Sequence, residues 1–308
     1  MSSFINKSNK YMDLQLQQMT NAQDFIVSGS SHDLLDMREF DYILSADAHG
    51  TSFYLDILKN ICSHNKLDEY LQTENPMKKL SEYINCYNTS GKSGFCCIIV
   101  KIYKPIPEES QTGIIKSWSV GDSQIVVIKN SEMLYVSCPH NLLNSSEIAR
   151  LQDTDIKYTV KKISDIPKIS TKQSLVPRKA EYIVFNRSGS SLAISQALGH
   201  NGVTGILPEY FEHLFTPSDK IRIVVGSDGF WEQHIFDGPC QEDVDEDFKD
   251  LSTMTAKQLI DKTMLRWRQM WKYYWIMGNT EKFTELSYEE GDIDDVNIGI
   301  WDSFSCMG

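Results

Sequence analysis

The sequence predicts an α+β fold in which antiparallel β-sheets are covered by helices. Three strand-forming runs, IIKSWSV, QIVVIKN and EMLYVS, follow one another closely from residue 114. The turn-forming sequences GDS and KNS separate them, as in β-hairpins. Other segments space their apolar residues as helices do. Hairpins combined with helices favour antiparallel sheets over a doubly wound parallel sheet.

The first half of the chain alternates strands and one long helical segment. The run DYILSADA (41–48) predicts a strand, and GFCCIIVKIY (94–103) predicts a buried one. Between them, GTSFYLDILKNICSHNKLDEYL predicts a helix with Thr51 or Ser52 as its cap. The segment YKPIPEESQTG has the proline, glycine and charge content of a loop.

The second half begins with a capped helix, predicted at NSSEIARLQ (144–152). Residues 152–190 are polar, so loops and short strands are expected there. SLAISQALG (191–199) predicts a short helix that ends at Gly199. KIRIVVGSDGFWEQ (220–233) predicts a strand that stops at Asp228.

The last part of the chain contains an acidic stretch, a long helical pattern and a final strand. We expect EDVDEDFKD (242–250) to be a surface segment. Residues 253–277 predict the longest helix, and DDVNIGIWD (294–302) predicts a strand. The aromatics of the long helix are spaced to pack one face into the core: Trp267, Trp271, Tyr274 and Trp275.

The composition of the chain argues against nucleic acids and membranes as binding partners. The chain has 42 acidic and 30 basic residues among 308, a formal net charge of −12. Nothing therefore offsets repulsion from phosphates, and we expect no nucleic-acid partner. The N-terminus is polar, and no apolar run approaches the ~20 residues of a membrane span. The sequence thus predicts a soluble cytoplasmic protein without a membrane partner.

Aspartates recur where predicted strands meet turns. Asp47 ends YILSA, Asp122 follows WSVG, Asp228 follows IRIVVGS, and Asp294 and Asp295 precede VNIGIW. One such aspartate is explained by turn formation, but four suggest that strand ends converge. Clustered carboxylates repel one another unless cations neutralise them, and oxygen-only ligands favour Mg²⁺ or Mn²⁺. A two-metal carboxylate site is suited to the hydrolysis of phosphate esters.

The order of the motifs resembles that of the metal-dependent protein phosphatases of the 2C type. SADAHGT resembles the family's D-G-H-G-G, SGFCCIIV its S-G-x-T/C strand, and SVGDSQIVVIKNSEMLYVS its V-G-D-S-R hairpin. PHNLLNSSEIARL is similar to D-H-K-P…E-x-x-R, and SLAISQALG to L-A-V-S-R-A-L-G. VVGSDGFWE is similar to A-S-D-G-L-W-D, and DIDDVNIGI to D-N-x-T-V-I-V. The resemblance covers residues 20–302.

The resemblance implies a four-layer α-β-β-α sandwich, with two antiparallel sheets between helices and metals in a cleft at one edge. It implies a single domain over residues 1–308, with 1–19 peripheral or poorly ordered, acting as a monomer. The implied activity is Mg²⁺- or Mn²⁺-dependent hydrolysis of phosphoserine and phosphothreonine in a phosphorylated protein substrate, with two or three bound ions.

The resemblance also assigns metal ligands residue by residue. Asp47 would bridge two ions, and the Ala48 carbonyl would bind one of them. Asp228 and Asp294 would complete the first ion. Asp24, in NAQDF, matches the N-terminal acidic element of the family and would serve the second.

Two further roles follow from the same motifs. Asp122 would help to hold a third, weaker ion. His49 matches the residue proposed as the general acid that protonates the leaving serine or threonine oxygen, a role suited to imidazole near neutral pH. His140 and His200 could act as ligands, but they are expected to be surface or hydrogen-bonded core residues.

The sequence departs from the family pattern at several positions. Ala48 replaces a glycine, and this replacement keeps the backbone carbonyl that would bind the metal. The family's phosphate-binding arginine would lie near Met19, but no arginine occurs before residue 38. Its loss is expected to weaken substrate binding more than metal binding. Three smaller departures are Gln23, Gln124 and Asp295.

These departures leave two alternatives to an active protein phosphatase. One is a pseudophosphatase, a scaffold of the same fold with weak or no activity. The other is an enzyme of the same fold that acts on a small phosphorylated molecule.

Overall fold

The structure is a computed structural model of the chain. It describes residues 11–19, 21–33, 38–64, 66–87, 92–106, 112–169, 175–185, 190–234, 241–277 and 280–303. Side chains are described throughout these ranges except at 161–184, 190, 241–243 and 271–286.

One central sheet contains most of the first half of the chain. Its strands are antiparallel and run in the order β12-β5-β4-β3-β2, with the short β11 paired to β4. They are β2 (Asp24–His32), β3 (Glu39–His49), β4 (Gly94–Tyr103), β5 (Gly113–Val120), β11 (Leu198–Gly199) and β12 (Glu209–Phe215). The β4 run GFCCIIVKIY is buried along its whole length, as expected for a strand covered on both faces.

A second antiparallel sheet packs against the first, in the order β1-β16-β13-β6-β7. Its strands are β1 (Met12–Gln17), β6 (Gln124–Lys129), β7 (Glu132–Val136), β13 (Ile221–Gly226) and β16 (Val296–Asp302). Residues 12–17 lie in the segment expected to be peripheral, yet as β1 they pair with β16 along its length.

Helices cover the outer faces of both sheets. Among the described residues these are α1 (Phe53–Ser63), α2 (Leu67–Leu71), α3 (Pro76–Ile84), α5 (Asp228–Trp231), α6 (Gln241–Thr253) and α7 (Ala256–Arg268). Another helix, α4 (Ser145–Asp153), packs Leu151 against Phe185 in a separate small cluster. None of the helices within the described ranges combines the length and apolar character that crossing a membrane requires.

Alternating side chains of the strands build the layers. Along β3, Ile43 packs into the cluster between the two sheets, whereas Leu44 packs under α1 and α3. Along β13, Val225 faces the inter-sheet cluster and Val224 faces α7. This alternation is the period-two pattern of a strand buried on both faces. The predicted four-layer α-β-β-α sandwich is therefore confirmed.

A third antiparallel sheet was not predicted. It has the order β10-β9-β8-β14-β15 and consists of β8 (Tyr158–Ile169), β9 (Leu175–Phe185), β10 (Ser190–Leu192), β14 (Trp271–Met277) and β15 (Thr280–Leu286). The expectation of loops and short strands over 152–190 was thus wrong, because β8 and β9 pair over 11 or 12 residues each. Polar residues alternating with β-branched ones form a strand as readily as a loop.

The long helix predicted over 253–277 was also wrong in its second half. The helix starts as expected, with a capping box between Thr255 and Gln258, but it ends at Arg268. The following run, WKYYWIM, is the strand β14. Aromatic residues favour strands, and this preference overrides a spacing that also fits a helix. Trp267 is buried as predicted. The structure does not describe the side chains of Trp271, Tyr274 and Trp275, so the prediction for these three stays a prediction.

Two shorter predictions need correction. SLAISQALG is not a helix, because Ser195 and Gln196 direct their side chains to the buried carboxylate of Glu147 on α4. These long-range hydrogen bonds replace the intrahelical ones. The capped helix predicted at 144–152 is confirmed as α4, with Asn144 as its cap.

The acidic segment 242–250 is a helix, α6, with one buried face rather than a surface segment. Asp247 is 1% exposed and forms a bidentate pair with Arg266 of α7, at 2.6 and 3.1 Å. Burial alone would raise the pKa of Asp247, but hydrogen bonds from His234 and Arg266 hold that pKa well below its usual value.

We therefore expect Asp247→Ala to lower the free energy of unfolding by about 3–5 kcal/mol, because it leaves a largely buried guanidinium without its anion. The matched control is Asp261→Ala, which removes the exposed pair with Lys257 and should cost at most about 1 kcal/mol. Urea unfolding measures both. Equal effects of the two substitutions would contradict this account of the α6–α7 contact.

Candidate metal centre

Three aspartates from distant parts of the chain meet at one edge of the sandwich. Asp47 lies in β3, Asp122 follows β5, and Asp228 begins α5 directly after β13. Each offers a carboxylate oxygen, and these oxygens lie within 4.8 Å of one another. The structure thus brings together three of the aspartates that the sequence placed at strand ends.

The turn that carries Asp122 is fixed by its neighbours. Gly121 has φ +100°, and a side chain there would lie 2.2 Å from the Cys96 sulfur, so only glycine fits. The Gly121 amide donates to Nδ1 of His140 at 3.0 Å. Cys96 Sγ donates to Asp122 Oδ1 at 3.1 Å. His140 is therefore a hydrogen-bonded core residue, one of the two roles expected for it.

Asp24 lies beside Asp47 but outside the group of three. The two residues are directly opposite each other in the β2–β3 register. The Asp24 carboxylate is 1% exposed and accepts from Ser227 Oγ at 2.6 Å and from Asn297 Nδ2 at 3.0 Å. These bonds tie β2 to the second sheet next to Asp228.

Asp294 and Asp295 have different surroundings. Asp294 Oδ1 accepts from the Asp295 amide at 2.9 Å, and its carboxylate interacts electrostatically with Asp228. Asp295 is buried and accepts from the backbone amides of Met19 and Gln23. Asp295 therefore anchors the segment between β1 and β2. Met19, at the position of the family's arginine, packs its side chain against the apolar cluster under α7.

The carboxylates strongly perturb one another. Burial, reinforced by Asp122 and Glu232, raises the pKa of Asp228 to about 7. Burial together with Asp228 raises the pKa of Asp294 to about 7. The pKa of Asp47 is also raised by burial, and then by Asp228 and Asp24. Asp47 and Asp228 thus influence the pKa values of each other directly.

This arrangement fits a divalent cation. Buried carboxylates with raised pKa values favour their protonated forms, and they would release those protons to a metal ion. The donor atoms are all oxygens, which suits Mg²⁺ or Mn²⁺ better than Zn²⁺. Glu232, half-buried after α5, adds negative charge to the same cluster. Sequence reasoning did not single it out, although it follows Asp228 by four residues, one helical turn.

The replacement of glycine by Ala48 is accommodated. Ala48 continues β3, pairs with Phe95 of β4, and its amide donates to the Gln23 carbonyl at 3.0 Å. Its methyl group is buried in the cluster under α1. Gly50, by contrast, has φ +83°, and a Cβ there would lie 1.8 Å from the Lys92 carbonyl oxygen.

His49, next to the cluster, contacts a second histidine. Its Nε2 lies 2.7 Å from Nε2 of His200, and the ring centroids are 4.8 Å apart with the planes inclined by 19°. Burial, reinforced by His200, lowers the pKa of His49 to about 3. The metal-free protein therefore holds this ring neutral at pH 7. His200 is buried as one of its two expected roles requires, but its contact with His49 was not predicted.

Neither protein-family models nor curated proteins gave a match to this sequence, whereas solved structures did. The chain is similar to a Toxoplasma gondii phosphatase, with TM-score 0.54, 12% identity and 94% of each chain covered. It is similar to a Mycobacterium tuberculosis serine/threonine phosphatase, with TM-score 0.51, 12% identity, and 94% of this chain and 97% of that one covered.

A Caenorhabditis elegans sex determining protein is also similar, with TM-score 0.55 and 14% identity over 96% of this chain. The match covers 65% of that longer protein. At these identities the similarity shows the fold alone. The chain thus has the α-β-β-α fold of serine/threonine phosphatases, a phosphatase-type fold with an acidic cluster at its edge.

Proposed function

We propose that the protein is a Mg²⁺- or Mn²⁺-dependent phosphatase that hydrolyses phosphoserine and phosphothreonine in proteins. One observation carries the proposal: the carboxylates of Asp47, Asp122 and Asp228 converge within 4.8 Å in a fold shared with serine/threonine phosphatases. The net charge of −12 supports a protein substrate rather than a nucleic acid. We propose further that it acts as a single-domain monomer in the cytoplasm, away from membranes.

The proposed ligand set is the one that the motifs imply. Asp47 would bridge two ions, with the Ala48 carbonyl on one of them. Asp228 and Asp294 would complete the first ion, and Asp24 would serve the second. Asp122 would help to hold a third. When bound, such cations lower the pKa of a water molecule and neutralise charge on a phosphoryl group.

The protein's own groups would supply the remaining chemistry. The carboxylates keep the cations at one edge of the sandwich. His49 would donate a proton to the leaving serine or threonine oxygen. A phosphate dianion bound beside His49 favours the imidazolium form, because an opposite charge counteracts the effect of burial on its pKa.

A pseudophosphatase is the second candidate, and Met19 favours it. Because the Met19 amide bonds to Asp295 and its side chain packs into the apolar cluster, that position offers no phosphate clamp. A bidentate arginine contributes both charge and orientation to phosphate binding. An active enzyme without it should therefore show weak substrate affinity, that is, a high KM with an ordinary kcat. The third candidate, a phosphatase of small phosphorylated molecules, would have a higher kcat/KM for a small phosphoester than for a phosphopeptide.

Steady-state kinetics tests the proposal. With Mn²⁺ or Mg²⁺ we expect turnover of a phosphothreonine peptide, complete inhibition by EDTA, and recovery when the metal is restored. Kinetics on a small phosphoester in parallel should give a lower kcat/KM. No metal-stimulated turnover of either substrate would contradict the proposal and favour the pseudophosphatase. A higher kcat/KM for the small ester would favour the third candidate.

A further inference from the structure

His49 and His200 form a pair at the end of β3. His49 is the last residue of β3, and His200 follows β11, which pairs with β4 beside it. The Nε2–Nε2 distance of 2.7 Å is that of a hydrogen bond, and the ring planes are inclined by 19°. One ring therefore donates and the other accepts.

His200 and the following residue both have left-handed backbone conformations. The φ of His200 is +49°, and that of Asn201 is +53°. For residues other than glycine such conformations are less favourable, and they persist where the surroundings enforce them. The His200 amide donates to Ser93 O at 2.8 Å. The ring lies against Gly94, where an added Cβ would be 2.3 Å from Cδ2.

The hydrogen positions of the pair follow from its geometry. A protonated His49 carries hydrogens on both ring nitrogens, so its Nε2–H must donate to His200. His200 must then be neutral, with its own hydrogen on Nδ1. The Nδ1–H of His49 is left as the proton that a substrate can take. In many proteins a carboxylate orients a histidine by accepting a hydrogen bond from one of its ring nitrogens. Here the neutral imidazole of His200 is the acceptor instead.

We propose that His200 is a positioning residue that orients the His49 ring for proton donation to the leaving group. This role rests on the proposed phosphatase function. In the step concerned, the oxygen of a hydroxide derived from water forms the new bond to phosphorus, while the P–O bond to the serine or threonine oxygen breaks and its electron pair stays on that oxygen. The oxygen takes the Nδ1 proton of His49, which becomes neutral and keeps its Nε2–H on His200.

The dependence on leaving group tests this role. A serine or threonine alkoxide is strongly basic and needs the proton, whereas p-nitrophenolate is stable without it. We expect His200→Ala to lower kcat for a phosphothreonine peptide about 10- to 100-fold, with kcat for p-nitrophenyl phosphate changed less than about twofold. His49→Ala should also lower kcat for the peptide more than kcat for p-nitrophenyl phosphate. The double variant should lose little more than His49→Ala alone, since the two residues act as one unit.

Two controls separate positioning from folding. His200→Gln places an amide at the same reach and should restore most of the peptide activity. His64→Ala, at the exposed end of α1, should leave kcat unchanged for both substrates. Equal losses of His200→Ala on both substrates, additive losses in the double variant, or unchanged peptide turnover would overturn the assignment. A wild-type protein inactive on both substrates would instead contradict the proposed function, and this role with it.

Discussion

Asp228→Asn is expected to reduce phosphatase activity at least about 100-fold while the protein stays folded. The amide keeps the shape of the carboxylate but removes the charge that faces Asp47 and Asp122. The same change should make the metal-free protein at least as stable as wild type at pH 8. Burial of Asp228 among other carboxylates raises its pKa to about 7, so its ionised form is a cost to the folded state.

Opposite effects on activity and on metal-free stability distinguish a metal ligand from a structural residue. Activity is measured with a phosphothreonine peptide and Mn²⁺, and stability by urea unfolding in EDTA. The matched control is Asp261→Asn, on the exposed face of α7, which should alter neither quantity. A destabilised Asp228→Asn protein, or one with wild-type activity, would contradict the role proposed for Asp228.

The metal-free protein is expected to lose stability as pH rises from about 5 to 8. Asp228 and Asp294 have folded-state pKa values of about 7, against a usual value of 3.8. The folded state therefore binds protons more tightly than the unfolded state, and the stabilisation from those protons disappears as pH passes 7. The summed change is of order a few kcal/mol. Saturating Mg²⁺ replaces the protons, so its stabilising effect should be larger at pH 8 than at pH 5.

Urea unfolding at pH 5, 6.5 and 8, with EDTA and with Mg²⁺, measures this linkage. Asp228→Asn should show a shallower pH dependence in EDTA than wild type, because one of the titrating groups is gone. A metal-free stability that rises between pH 5 and 8, or a Mg²⁺ effect independent of pH, would show that the carboxylates are not coupled as described.

Much of the sandwich could be predicted because its strands carry local signals. Apolar runs such as those around Ile43 and Val224 are buried on both faces, and turn residues mark their ends. The aspartates at those ends were expected to converge, and Asp47, Asp122 and Asp228 do meet, while their binding of metal stays a prediction. The metal roles of Asp24 and Asp294 stay predictions, although both carboxylates interact electrostatically with Asp228.

The errors arose where contacts between distant residues decide local structure. The segment around Ser195 has the spacing of a helix, but the buried Glu147 and Arg150 bind its polar groups in an extended form. The third sheet depends on pairing between residues about 100 positions apart, such as Lys272 with Ile169. No short window of sequence contains that information.

Sequence reasoning missed some roles of site residues for the same reason, because those roles depend on contacts between distant residues. His200 stands alone in the sequence, and only the pairing of β11 with β4 brings it to His49. Asp295 looked like a metal-site variant of an asparagine, but it binds the backbone next to Met19. Buried polar groups need partners, and those partners become visible only in the folded chain.

Calorimetric titration of the metal-free protein with Mn²⁺ tests the central claim most directly. We expect two ions to bind the wild-type protein at pH 7, with release of protons that makes the heat depend on the buffer. Asp228→Asn should lose at least one of these ions, whereas Asp261→Asn should bind both. If the wild-type protein shows no saturable binding, or if Asp228→Asn binds Mn²⁺ as the wild type does, the converging carboxylates are not a metal centre.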